Sequence, residues 1–157
     1  MKFGYAFKDY GANMARAIGR DLTISSRQSL EVANMIRGMK VQNAIKNLED
    51  VTKMIRPVKY RVRNSAPHKS GYGPAKYPIS CATQIIKILK QVQANAQVKG
   101  LNTSNLEIIA IITNKASTPY RYGRKRRIKA KSTHVEIIVA EGKDKKETKK
   151  ERVVKKK

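Results

Sequence analysis

The sequence predicts an α+β fold: a small antiparallel three-stranded sheet with three helices packed on it and a long protruding basic β-hairpin. Strand-like and helical segments follow one another without regular alternation, in the order strand, helix, helix, basic insertion, helix, strand, hairpin, strand. Near the end, two apolar β-branched runs at residues 106–113 and 134–140 enclose twenty residues with eight Lys or Arg and no carboxylate.

The first strand is predicted at residues 14–20, where apolar and basic residues roughly alternate, and it ends near Thr23. A helix then begins at Ser25, because a serine followed three residues later by Gln28 is typical of a capping box. Apolar residues recur on one side of this helix, and Gly38 is suited to a left-handed stop at its end.

Two further helices follow from apolar residues spaced three and four apart. The second helix is predicted at residues 41–55 and is ended by Pro57, which cannot continue a helix. The third is predicted at residues 78–99 and is closed by Gly100.

The segment between these helices, residues 58–77, combines prolines, glycines and three tyrosines with Lys and Arg, and it has little periodicity. We interpret it as an extended basic insertion that packs poorly on its own and lies against a partner. A flexible surface loop is the alternative, but the interleaved tyrosines favour ordered contact with stacked bases. The aromatic residues of the first ten positions either stack on bases or, as we expect, pack on the body.

If the last two strands pair antiparallel, Gly123 lies where the chain reverses, and glycine is the residue that tolerates a positive φ there. Each arm beyond the sheet would contain about ten residues, so the tip would stand roughly 30 Å from the body. A two-stranded ribbon is marginal in water, and this one repels itself, so we expect it to become ordered inside a polyanion. The alternative is a disordered basic loop without a particular target.

Composition restricts the partner. The 157 residues carry a formal net charge of +24, and no Asp or Glu occurs from Val51 through Leu106. Nucleic acid is the commonest neutraliser of such a charge, whereas no apolar run is long enough to span a membrane. One cysteine, Cys81, cannot form an intrachain disulfide, which fits a reducing compartment.

The apolar content, 40% of residues, is enough for one small core. We therefore predict a single RNA-binding domain at residues 1–140, which includes the insertion at 58–77 and an extended hairpin at 113–134. A charged flexible tail is predicted at residues 141–157, where acids alternate with Lys and Arg.

The residues that catalysis would need are few. Only two histidines exist, His68 in the insertion and His134 at the start of a strand, and Cys81 lies on the apolar face of a helix. Glu107 and Glu136 lie one in each hairpin arm and are expected to be cross-strand or core-facing partners of Lys and Arg. We therefore expect a non-enzyme without a cofactor or a metal.

Three groups of motifs resemble the L-twenty-two family of large-subunit ribosomal proteins, called L-seventeen in eukaryotes. The first is Ala15-Arg-Ala-Ile-Gly-Arg20 with Ile24-Ser-Ser-Arg27 and Ile36-Arg-Gly38; the second is Asn95-Ala96 with Gly100-Leu101 and Asn105-Leu106; the third is Gly123-Arg124 with Ile128-Lys129 and Lys131-Ser-Thr-His-Val135. The resemblance covers residues 14–140, and the long insertion is similar to the archaeal and eukaryotic branch.

The resemblance implies a structural constituent of the large ribosomal subunit, cytoplasmic within the ribosome. Its expected partners are large-subunit rRNA, neighbouring ribosomal proteins and the nascent peptide, with no membrane and no small-molecule substrate. The resemblance further implies that the hairpin lines the peptide exit tunnel and that its tip, about residues 120–127, lies near the constriction. A free nucleic-acid module and an RNA-processing enzyme are the two alternatives.

The predicted RNA contacts are cations that meet phosphates and two hairpin tyrosines that either stack on unpaired bases or pair across the arms. They are Arg16, Arg20, Arg27, Arg61, Arg63, Lys69, Lys76, Tyr120, Arg121, Tyr122, Arg124, Lys125, Arg126, Arg127, Lys129 and Lys131.

Overall fold

The computed structural model describes residues 4–61 and 66–142, and these residues form the α+β fold that the sequence predicts. The predicted tail, from residue 143 onward, and Arg63 lie outside them. The elements in chain order are β1 (Met14–Leu22), α1 (Ser26–Ile36), α2 (Val41–Thr52), β2 (Val58–Lys59), β3 (His68–Lys69), β4 (Gly73–Lys76), α3 (Ile79–Val98), β5 (Leu106–Lys115) and β6 (Thr133–Glu141).

The main sheet has the strand order β1-β6-β5, with both pairs antiparallel. The predicted antiparallel pairing of the two apolar runs is therefore confirmed. In the register of the central strand, Ile137 lies between Ala17 of β1 and Ile111 of β5. All three are buried, and they lie on the face that receives the helices. This alternation follows from the two-residue period of a strand, which sends every second side chain into the core.

The helices cover this one face of the sheet. Helix α3 packs on β1 and β6, α1 packs on β5, and α2 packs on α3. The apolar stripe of α3 supplies Ile85, Leu89 and Val92, which are fully buried, and the stripe of α2 adds Leu48. The core thus lies between the helices and the inner face of the sheet, and the predicted stripes point into it.

The predicted helix ends are confirmed in part. Gly38 follows α1 with φ +74°, as predicted for a left-handed stop. Ser25 is the N-cap, but its side chain makes no capping hydrogen bond, so the predicted capping-box interaction was wrong. Helix α2 ends at Thr52, before the predicted residue 55, because Met54 takes a positive φ and the Ile55 amide turns back to the Asp50 carbonyl.

The insertion packs better than predicted. It forms a second sheet of three short antiparallel strands in the order β2-β4-β3. Val58 and Ala75 are fully buried, Tyr60 is 8% exposed, and β2 packs on α1. The prediction of an insertion that packs poorly on its own was therefore wrong. Strands of two to four residues are too short to show a periodicity, which is why the sequence did not reveal them.

Both edges of the main sheet are partly covered. Along β5, the Gly38 amide donates to the Ile108 carbonyl and the Ile108 amide donates to the Met39 carbonyl, each at 3.0 Å. Along β1, the side chains of two α3 residues act instead of a strand: Asn95 Nδ2 lies 2.9 Å from the Arg16 carbonyl, and the ammonium of α3's C-cap residue, Lys99, lies 3.0 Å from the Met14 carbonyl.

Candidate nucleic-acid interface

Strand pairing between β5 and β6 continues beyond the sheet toward the hairpin tip. The backbone amides of Ala116, Ala130 and Arg121 donate to the carbonyls of Ser132, Pro119 and Ile128, at 3.1, 2.7 and 3.0 Å. Gly123 begins a short 3-10 turn, Gly123–Lys125, with φ +63°, so the chain reverses where the sequence predicted. This backbone ladder joins the two basic arms up to the tip.

Every residue from 119 to 129 is exposed to solvent. Most tip side chains are basic or aromatic, the apolar Ile128 is 54% exposed, and no tip residue belongs to the core. No Asp or Glu occurs from residue 108 to residue 135, so the local sequence supplies no counter-charge. The structure brings six predicted contact residues together within nine positions: Arg121, Arg124, Lys125, Arg126, Arg127 and Lys129.

The two tyrosines of the tip have different surroundings. Tyr120 pairs with Lys129 across the arms, and the Lys129 ammonium lies 5.2 Å from the centroid of its ring. Tyr122, at the start of the turn, is 96% exposed. A ring that is wholly exposed on a basic hairpin presents a face on which a base can stack, whereas the Tyr120 ring already contacts a cation.

The body cations predicted to bind RNA are spread over separate elements. Lys76 is half-buried, with its ammonium 5.8 Å from the Tyr60 ring, and Lys131 is exposed just beyond the tip. Burial also raises the pKa of the Tyr60 phenol, since the charged phenolate would be poorly solvated there. The exposed members are Arg20 on β1, Arg27 on α1, Arg61 after β2 and Lys69 on β3.

Arg16 is the predicted contact whose surroundings differ most from the expectation. Its guanidinium lies between two aromatic rings of the N-terminal segment, 3.8 Å from the centroid of Tyr5 and 4.2 Å from that of Tyr10. Lys99 contacts the same Tyr10 ring from α3. These contacts confirm the expected packing on the body for Tyr5 and Tyr10, and they make Arg16 part of that packing.

Glu136 holds the same segment from the outer face of the sheet. It is 4% exposed, and its carboxylate accepts hydrogen bonds from the backbone amides of Ala6, at 2.9 Å, and Phe7, at 3.4 Å. Arg20 and His134 line the same small cavity of about 140 Å³. The sequence gives no signal that a carboxylate will accept hydrogen bonds from backbone amides 130 residues away, so this role of Glu136 was not predicted.

The residues considered for catalysis make contacts within the fold. Cys81 is buried with its Sγ 3.5 Å from Ser29 Oγ, and burial raises the pKa of this thiol to about 11. His134 accepts a hydrogen bond at Nδ1 from the Asp21 amide. Within residues 4–61 and 66–142, no group of His, Cys, Asp or Glu could hold a metal ion, and no helix there is long and apolar enough to cross a membrane.

Comparison with known proteins gives a consistent result. A family model described as "Ribosomal protein L22p/L17e" matches residues 17–140. The chain is 39% identical over 149 residues to "Large ribosomal subunit protein uL22" of Methanocaldococcus jannaschii, and the match covers 89% of this chain and 96% of that relative. Proteins with the same name from Picrophilus torridus and Ignicoccus hospitalis are 35% and 37% identical, over 88% and 81% of this chain and 96% and 87% of their own lengths. Since the family model spans most of the fold, including the basic hairpin, this chain belongs to the ribosomal protein L22p/L17e family.

Proposed function

We propose that this chain is a structural constituent of the large ribosomal subunit in the cytoplasm. In this proposal it binds large-subunit rRNA, contacts neighbouring ribosomal proteins and lines the nascent-peptide exit tunnel with its hairpin. Family membership and the printed name of the archaeal relatives support the ribosomal part. The observation that supports the RNA part is the exposed tip at residues 119–129, which has six cations and no carboxylate.

In this proposal the body and the hairpin have different roles because they differ in burial. The body has its own core and partly covered sheet edges, and the hairpin tip contributes no side chain to that core. A ribbon of this charge gains stability when phosphates neutralise it, and Arg forks can each bind two phosphate oxygens. The hairpin therefore acts as an extension whose charge RNA neutralises, with exposed residues such as Tyr122 facing the tunnel or unpaired bases.

The electrostatic part is tested by a salt titration of binding to protein-free large-subunit rRNA. If about eight phosphates are neutralised with the single-strand coefficient, affinity falls roughly 10³-fold between 50 and 200 mM salt. Replacing the six tip cations by Gln keeps the hairpin length and should flatten this dependence markedly. A titration that is already flat for the unaltered chain would remove the electrostatic basis of the proposal.

The placement of the hairpin is tested by deleting residues 119–129. The deleted chain should unfold at the same temperature as the full chain and still cofractionate with large subunits in a high-magnesium sucrose gradient, because the core is intact. Crosslinks from a stalled nascent peptide to this chain should disappear. Unchanged crosslinks would contradict the tunnel placement, and a full chain that never sediments with subunits would favour a free nucleic-acid module. Turnover of bare rRNA by the purified chain would favour an enzyme.

A further inference from the structure

The second sheet places two predicted contact residues on either side of one glycine. In the β3–β4 pair, Lys69 lies opposite Gly73. In the β2–β4 pair, Lys59 lies opposite Ala75, and the Tyr60 amide continues this register by donating to the Pro74 carbonyl at 2.9 Å. The next residue, Arg61, therefore lies beside Gly73 on its other side. Neighbouring strands are about 4.8 Å apart, so the backbones of Arg61 and Lys69 are roughly 10 Å apart across β4.

Both cations are exposed to solvent, Arg61 just after the buried Tyr60 and Lys69 at the end of β3. Lys69 and Gly73 lie opposite each other in an antiparallel pair and therefore share a face of the second sheet.

The glycine between them leaves its backbone open. Gly73 has φ +74°, and, its two chain neighbours aside, no described atom lies within 4 Å of the position that a Cβ would occupy there. The missing side chain therefore leaves room for an anion beside the main chain of Gly73.

Both residues are fixed at their backbones, and Lys69 also at its ammonium, by contacts within the protein. The Arg61 amide donates to a carboxylate oxygen of Glu31 at 3.2 Å, and Glu31 is 3% exposed, so the backbone of Arg61 is tied to α1. The Lys69 ammonium lies 5.5 Å from the centroid of the Tyr77 ring, and the Tyr72 amide closes the turn onto the Lys69 carbonyl at 3.0 Å. Such anchoring reduces the conformational entropy that these cations would lose on binding.

We propose that Arg61 and Lys69, on either side of Gly73, form a binding site for a phosphate of the rRNA backbone, separate from the hairpin. The inference rests on the proposed rRNA binding and adds a second attachment point on the body. The Arg61 guanidinium binds two phosphate oxygens as a fork, and the Lys69 ammonium adds a point charge from the other side. No Asp or Glu occurs from residue 51 to residue 106, and the nearby Glu31 carboxylate is 3% exposed and accepts its hydrogen bond from the Arg61 backbone amide.

The test is a double variant of the full chain, Arg61→Ala with Lys69→Ala, titrated with salt against protein-free large-subunit rRNA. Removing this one phosphate contact should reduce the salt slope by about 0.7 and weaken binding roughly 5-fold at 0.1 M salt. The matched control, Lys46→Ala with Lys53→Ala, removes the same charge from exposed positions in α2 and just after it, and it should keep the unaltered slope. An equal loss in the two double variants, or no loss in the first, would overturn the site.

A second measurement locates the RNA. Cys81 is buried and unreactive, so Ser70→Cys, in the exposed β3–β4 turn, introduces the one accessible thiol of the described chain for a tethered hydroxyl-radical probe. We expect cleavage of one short rRNA segment, unchanged by hairpin deletion and lost when Arg61→Ala and Lys69→Ala are added. If the complex forms but the probe at this position cleaves no rRNA, the Arg61–Lys69 site is refuted and the proposed function is not. Failure of the unaltered chain to bind rRNA at all would instead refute the proposed function.

Discussion

Replacing Glu136 by Gln tests whether a buried carboxylate holds the N-terminal segment on the sheet. The substitution keeps the shape of the side chain but removes its charge and one of its two acceptor oxygens. One of the amides of Ala6 and Phe7 would then face an NH2 group instead of an oxygen. Because Glu136 is 4% exposed, water cannot easily supply the missing acceptor.

The expected loss of stability follows from these two hydrogen bonds. A hydrogen bond to a charged group contributes about 1.5–3 kcal/mol, and a buried unpaired donor costs about 1–3 kcal/mol. The Ala6 contact, at 2.9 Å, is well formed, whereas the Phe7 contact, at 3.4 Å, is long and contributes less. We therefore expect a loss of roughly 2 kcal/mol, which for a chain of this size lowers Tm by about 6 °C.

The assay is thermal and urea unfolding of the full chain, followed by circular dichroism. Glu107→Gln is the matched control, since Glu107 lies in the other hairpin arm and is only half-buried. The loss of stability that this control causes should stay within about 0.5 kcal/mol. Deleting residues 1–8 removes both amide donors, so Glu136→Gln in the shortened chain should cost much less than in the full chain. An equal cost in both backgrounds would refute the role of these two hydrogen bonds.

Three further predictions concern the core, the thiol and the hairpin tip. Leu89→Ala, at a fully buried position, should destabilise the chain by about 2–5 kcal/mol in urea unfolding, while Val98→Ala, on the same helix and 89% exposed, should change stability by less than about 0.5 kcal/mol. The Cys81 thiol, with its pKa raised by burial to about 11 from 9.0, should not react with a disulfide reagent at pH 8 until the chain unfolds. Since the unfolded chain ionises this thiol first, stability should fall as pH rises from about 9 to about 11, and Cys81→Ala should lack that component. Tyr122→Ala should weaken binding to unpaired rRNA by about 1–3 kcal/mol, with Tyr122→Phe near the unaltered value because the ring is retained; equal affinities for all three chains would contradict base stacking.

Long periodic elements could be predicted from the sequence because their pattern repeats over several turns. Helix α3 was predicted at residues 78–99 and is observed at Ile79–Val98, and its stripe, with Leu89, is the one that enters the core. The reversal at Gly123 could be predicted because the two arms have nearly equal lengths. The second sheet could not, because its strands of two to four residues are too short to have a pattern of their own.

Side-chain surroundings were less predictable than the positions of charges. The sequence shows that Arg16 is cationic, but only the fold brings the rings of Tyr5 and Tyr10 onto its guanidinium. In the same way, Tyr120 and Tyr122 are equivalent in the sequence, and the pairing of Tyr120 with Lys129 separates them. The exposure of the six tip cations could be predicted without the fold, because a run of like charges is not buried in a core.

The partly covered edges of the main sheet bear on the time before assembly. In a ribosomal protein that is not yet assembled, an open sheet edge would invite a second copy to add its own strand. Here the backbone of the turn after α1 forms hydrogen bonds with β5, and the side chains of Asn95 and Lys99 donate hydrogen bonds to carbonyls of β1. These contacts reduce the number of edge groups open to a second copy, and the net charge of +24 adds repulsion between copies.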